Sequence, residues 1–114
     1  MTSAGWHLHN LLYAGGWLAS YPEYVEVTRK PPTVDHWLAM QRLWIDVGNG
    51  CEGYRQAAGI APGVEPWAGP VLFRNKLSHT PSWLIDQRIV ERAIRERLPE
   101  LLKAARKARE EMED

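Results

Sequence analysis

Trp37, Met40, Trp44, Val47, Cys51, Tyr54 and Ala58 follow one another at alternating steps of three and four residues through the middle of the chain. At about 3.6 residues per turn this spacing keeps all of them on one face of a helix. A chain so patterned must bury that face against something, so the stripe locates a core or an interface. It crosses Gly48, Asn49 and Gly50, all poor helix formers. The face therefore belongs either to one helix with a soft centre or to two, and the spacing is compatible with both. Thr33 after Pro31-Pro32 is a natural N-cap and Asp35 suits the positive end of a helix dipole, which predicts a central helix over residues 34–57.

On either side the pattern is also helical. Leu8, Leu11, Leu12 and Leu18 recur at helical spacing, with Trp6, Tyr13 and Trp17 on a neighbouring side, and Gly15-Gly16 is expected to end that helix near residue 14. Pro22, Pro31 and Pro32 bracket a segment read as an extended connector; a minimal ribbon pairing Val25–Thr28 with Val71–Phe73 is the alternative. From Gly59 to Thr80 six Gly and Pro residues predict a long loop, and Ile60, Val64, Trp67, Val71, Leu72 and Phe73 make it apolar enough to pack over the helices. Thr80-Pro81 reads as a cap followed by proline in a first turn. The series Ile94, Leu98, Leu101, Ala105, Ala108 and Met112 keeps its spacing across Pro99, which favours a kinked but continuous helix over residues 81–112, rather than a fresh start at the proline. The expected fold is all-α: one domain over residues 1–114, a small bundle of three to four helices at about 4–14, 34–57 and 81–112, with a long ordered Pro/Gly-rich loop and a projecting C-terminal helix.

Composition narrows the function. A chain of 114 residues can bury about two thirds of its unfolded surface and needs no covalent staple. With one cysteine it can form neither an internal disulfide nor a two-thiolate metal site, which fits a reducing cytoplasm. Fourteen basic and 14 acidic side chains cancel, without the basic excess usual in nucleic-acid binders. Residues 1–22 carry no charged side chain, but the basic start of a secretory signal is missing and polar residues interrupt the apolar ones, so the segment reads as mature protein. No run approaches the roughly 18 apolar residues of a membrane span.

Chemistry-bearing patterns are sparse. His7 and His9 diverge by about 200° on a helix, and no pair of His residues has the HExxH spacing of a metal site. Cys51 lies on the apolar stripe, where packing is its ordinary role. The glycine-rich Gly48–Gly53 segment lacks the lysine of a phosphate loop, and the acidic residues are scattered. No catalytic residue, metal or cofactor is expected. Six tryptophans and a surplus of arginine instead point to recognition. The reading is a small non-enzymatic interaction protein: an adaptor, an inhibitor or an assembly subunit, of a kind that viruses also encode, with a protein partner or a second copy as its target. Trp67, Phe73 and Arg74 of the loop and the seam of Ile94, Leu98, Leu101, Ala105 and Met112 are its expected contacts. Leu98→Asp and Leu101→Asp should then abolish association and leave the body folded. A nucleic-acid module using Arg88, Arg92, Arg95 and Arg106 is the first alternative, opposed by four-residue pairings such as Glu91 with Arg95. A small hydrolase or metal enzyme built on His7, His9, His36 or Cys51 is the second.

Overall fold

The structure, a computed structural model, describes residues 2–113; Met1 and Asp114, the ends of the expected domain, lie outside them. The described residues form helices α1 (Ser3–Ala19), α2 (Tyr21–Thr28), α3 (Val34–Ala57), α4 (Ala68–His79), α5 (Gln87–Glu96) and α6 (Leu98–Glu113), with a 3-10 turn at Ser82–Leu84 and no strand. The fold is all-helical, and one apolar cluster, to which all six helices contribute, forms its core.

Helix α3 is the spine. Thr33 Oγ1 accepts from the His36 backbone N–H at 3.3 Å while the Thr33 N–H donates to His36 Nδ1 at 3.2 Å, a reciprocal cap in which His36 stands where Glu or Gln is usual. At the other end Gly59 adopts a positive φ of 70°, so that the Ile60 N–H reaches Arg55 O at 2.9 Å and the Gly59 N–H reaches Gln56 O at 3.2 Å. Between the caps the middle of the stripe is buried, Met40, Trp44, Val47 and Cys51 being each no more than 5% exposed, while Trp37 and Tyr54 are half-buried and Ala58 is exposed.

The helix does not break at Gly48–Gly50, because packing uses those glycines. A Cβ at Gly50 would stand 2.6 Å from Leu11 Cβ and 3.2 Å from His7 O, and one at Gly53 would collide with the His7 ring. These pairings also set α1 antiparallel to α3. On the opposite side a Cβ at Gly48 would lie 2.7 Å from Pro70 O and against Arg74 Cβ. Three side-chain-free positions thus let α1 and α4 approach α3 from two sides, and the close packing they permit outweighs the helix propensity lost, about 1 kcal/mol per glycine.

The same trade corrects the expectation for α1, which runs on to Ala19 instead of ending near residue 14. Gly15 faces α6, where a Cβ would meet Leu102 Cδ2 at 2.5 Å. The connector before α3 is not extended throughout, since Tyr21–Thr28 is helical, with Pro22 in its first turn and Tyr21 buried against Trp37 at a ring-centroid distance of 5.8 Å. The long loop shortens to residues 58–67. Ala68–His79 is helical because Pro70 falls in the first turn, where the missing N–H has no helical acceptor to lose. Val71–Phe73 lies inside that helix, so the ribbon does not form.

The C-terminal arm is likewise two helices. Asp86, not Thr80, is the N-cap of α5, accepting from the Arg88 N–H at 3.0 Å. The arm breaks at Arg97, and Pro99 sits in the first turn of α6 as a fresh start. It does not project over its first half: Leu98, Leu101, Leu102 and Ala105 pack into the core at 3% exposure or less. The buried Gln41 side chain ties the arm to α3, donating to Ser82 O at 3.2 Å and to Gln87 Oε1 at 3.5 Å.

Two glycine substitutions should move stability in opposite directions. Gly50→Ala should cost about 1–3 kcal/mol, because Leu11 and the α1 backbone must retreat. Gly16→Ala should add about 0.5–1 kcal/mol, because a Cβ there meets nothing within 4 Å. Urea unfolding of the two variants beside wild type measures both; equal effects would show that the close α1–α3 approach does not constrain the fold.

Candidate functional site

Helix α1 presents the most distinctive surface. Its buried residues, Leu8, Leu11, Ala14, Gly15 and Leu18, fill one arc against α3 and α6. Trp6, Tyr13 and Trp17 fall within about 40° of each other on the opposite arc and are 55%, 66% and 60% exposed. His9 extends the ridge, its ring stacked on Trp6 at 6.3 Å. The ridge is about 16 Å long from Trp6 to Trp17, and α1 contains no acidic or basic side chain apart from His7 and His9. Three large aromatics held in water on an uncharged helix are more than fold stability requires.

A second feature is a cleft of about 640 Å³ between α4 and the α5–α6 arm. Trp44, Phe73 and Leu101 supply apolar surface to it, and Arg92, Glu96, Arg97 and Glu100 line it from the arm. Trp44 is 1% exposed, and its indole Nε1–H finds no hydrogen-bond acceptor among the described residues. Phe73 packs on it at a centroid distance of 5.3 Å and an interplanar angle of 67°. Glu65, on the α4 side of the cleft, is engaged at the start of that helix, accepting from the Gly69 N–H at 3.2 Å.

The expected contact residues are placed differently. Ile94, Leu98, Leu101 and Ala105 are at most 2% exposed, so this part of the seam serves the intramolecular core; of the named series Met112 alone is exposed, at 42%. Trp67 is buried on Tyr54, with ring centroids 4.7 Å apart. Arg74 is half-buried and clamps α4 to α3, its Nη1 donating to Asn49 Oδ1 at 3.2 Å. The expected loop anchors are thus part of the helix packing. Trp6, Tyr13 and Trp17, absent from the expected contacts, are legible in the sequence only as a second helical stripe lacking charge.

The arginines divide. Arg88 binds its own helix cap, Nη2 to Asp86 Oδ2 at 2.9 Å, and holds that carboxyl below its ordinary range; Arg95 pairs with Glu91 at 3.0 Å. Arg92 faces the cleft, while Arg106 lies across a shallow open depression from Arg95. Arg88, Arg92 and Arg95 fall within about 60° of each other on the exposed face of α5, two of them paired with carboxylates, while Arg106 belongs to α6.

His36 is a helix cap and His7 lies against Gly53, and no group of three His, Cys, Asp or Glu side chains able to hold a metal occurs among the described residues. Cys51 is fully buried, and desolvation, helped by the charge of Glu65, pushes its thiol up to about 12. It is a protonated core thiol at neutral pH, a poor nucleophile. Burial also raises the phenols of Tyr21 and Tyr54.

Three measurements check this placement. Leu98→Asp and Leu101→Asp should each cost the folded state several kcal/mol, through a charge buried without a partner, and the loss of the cooperative thermal transition will report it. Iodoacetamide should label native Cys51 roughly 100-fold more slowly than the urea-unfolded chain. Above the ordinary thiol value of 9.0 the unfolded chain releases the Cys51 proton while the folded chain keeps it up to about 12. Stability should thus fall by up to about 1.4 kcal/mol per pH unit across that window. Cys51→Ala should flatten the slope to what the tyrosines contribute; an unchanged slope would show that the thiol is not held protonated.

No family model matches the chain, and neither curated proteins nor solved structures yield a match.

Proposed function

We propose that this chain is a small non-enzymatic assembly protein that binds a second copy of itself through the outer face of α1. The observation that carries the reading is the exposed ridge of Trp6, Tyr13 and Trp17 on a helix with no Lys, Arg, Asp or Glu. Trp and Tyr offer large contact area at low conformational cost and dominate binding hot spots. An uncharged face is self-complementary: two copies of α1 meet about a two-fold axis without opposing like charges, and a net formal charge of +0 adds no repulsion between the bodies.

The area sets the strength. Large aromatics bury about 150–250 Å² each, so three that are a little over half exposed bring roughly 300–400 Å² per copy. Two copies bring about 600–800 Å², and the flanking His9 leaves the total below the roughly 1,200 Å² of standard specific interfaces, which implies association in the micromolar range or weaker. No helix among the described residues is long and apolar enough to cross a membrane, and α1 has no basic side chains to draw it to anionic lipid.

Light scattering after size exclusion, over a concentration series at low and high salt, tests the reading. The expected result is a mass rising from 13.0 kDa toward twice that value with concentration and resisting salt. Trp6→Gln with Trp17→Gln should hold the chain at monomer mass with an unchanged circular dichroism spectrum. A monomer at every concentration, or a dimer indifferent to both substitutions, would sink the proposal.

A further inference from the structure

We infer that the cleft between α4 and the α5–α6 arm is a binding site for a small zwitterion with an apolar body, a free α-amino acid with an aromatic side chain being the fitting class. The inference stands apart from the α1 face.

The cleft volume of about 640 Å³ is within the range of small-molecule sites and larger than a benzyl side chain requires. Its apolar surface includes the Trp44–Phe73 pair, stacked edge to face, and a third ring extends such a pair favourably. The lining from the arm carries both signs. Arg92 and Arg97 enter no ion pair or side-chain hydrogen bond among the described residues, and neither do Glu96 and Glu100. A carboxylate on the ligand meets the guanidiniums and an ammonium meets the glutamates, so each charge of a zwitterion finds its opposite. A ligand with one charge alone leaves half of that lining opposed or unmatched.

Trp44 Nε1–H supplies an independent sign. A buried donor without an acceptor is uncommon in a folded interior and costs about 1–3 kcal/mol. It belongs to a ring that lines the cleft.

The test is a titration of the Trp44 indole ¹H–¹⁵N resonance with three probes: L-phenylalanine, 3-phenylpropanoate, which lacks the ammonium, and 2-phenylethylamine, which lacks the carboxylate. The resonance is assigned by its loss in Trp44→Phe or, if that variant does not fold, by its cross-relaxation with Phe73. Phenylalanine should shift it saturably and bind at least about ten-fold more tightly than either one-charge probe. Arg92→Gln with Arg97→Gln, both exposed positions, should bring phenylalanine down to the affinity of the amine. Equal binding of all three probes would reduce the site to an apolar slot and overturn the assignment. An unmoved Trp44 resonance at saturating probe would overturn the site itself.

Discussion

Everything in this fold depends on how closely α1 can approach α3. Gly50 and Gly53 remove the side chains that would hold the two helices apart, so Leu11 and the His7 backbone seat directly on the α3 backbone. That contact fixes α1 by one face, and Gly15 opens the adjacent arc to Leu98 and Leu102 of α6. With both arcs occupied, the remaining side of α1 has nowhere to go but solvent. The exposed aromatic ridge is therefore a geometric consequence of small residues on the other faces of the same helix.

Helix α3 then acts as a two-sided spine. Gly48 admits α4 on the side away from α1, and Trp44 and Tyr54 receive Phe73 and Trp67 from that helix and its approach. The arm closes the core by burying Ile94, Leu98, Leu101 and Ala105, and Gln41 ties its start to α3 with hydrogen bonds a slipped helix could not make. Between α4 and the arm a cleft remains, with charged residues from α5 and α6 along it. The two surfaces proposed for recognition therefore lie apart: an uncharged aromatic ridge on α1, and a concave, mixed-charge cleft between α4 and the arm.

The central helix is legible in the sequence to within a residue, because a cap, a dipole partner and a three-four stripe all agree over 34–57. The helix boundaries are misread at Gly15 and Pro70, read as breaks, and at Pro99, read as a kink within one helix, while the pattern at Gly48–Gly50 leaves one helix or two open. Gly15, Gly48 and Gly50 are contact residues, and Pro70 and Pro99 lie in first turns where proline costs little. Propensity reports the local penalty of such a residue; the compensating contact lies on another helix, tens of residues away, and has no signature in the local pattern. The same blindness hides the candidate site. Two apolar stripes of similar quality, one from Ile94 to Met112 and one from Trp6 to Trp17, differ only in which is covered by the rest of the chain.

The sequence by itself determined the helical class, the reach of the central helix and the absence of internal cross-links, because these follow from periodicity, capping chemistry and a single cysteine. Tertiary structure alone decided which apolar face became core and which stayed in water. It also joined Trp44 and Phe73 to arginines and glutamates from the arm across one cleft. The physical reason is that burial is a property of pairs of surfaces. A stripe announces that a helix has an apolar face, and only the close approach permitted at Gly15, Gly50 and Gly53 determines which partner reaches it first.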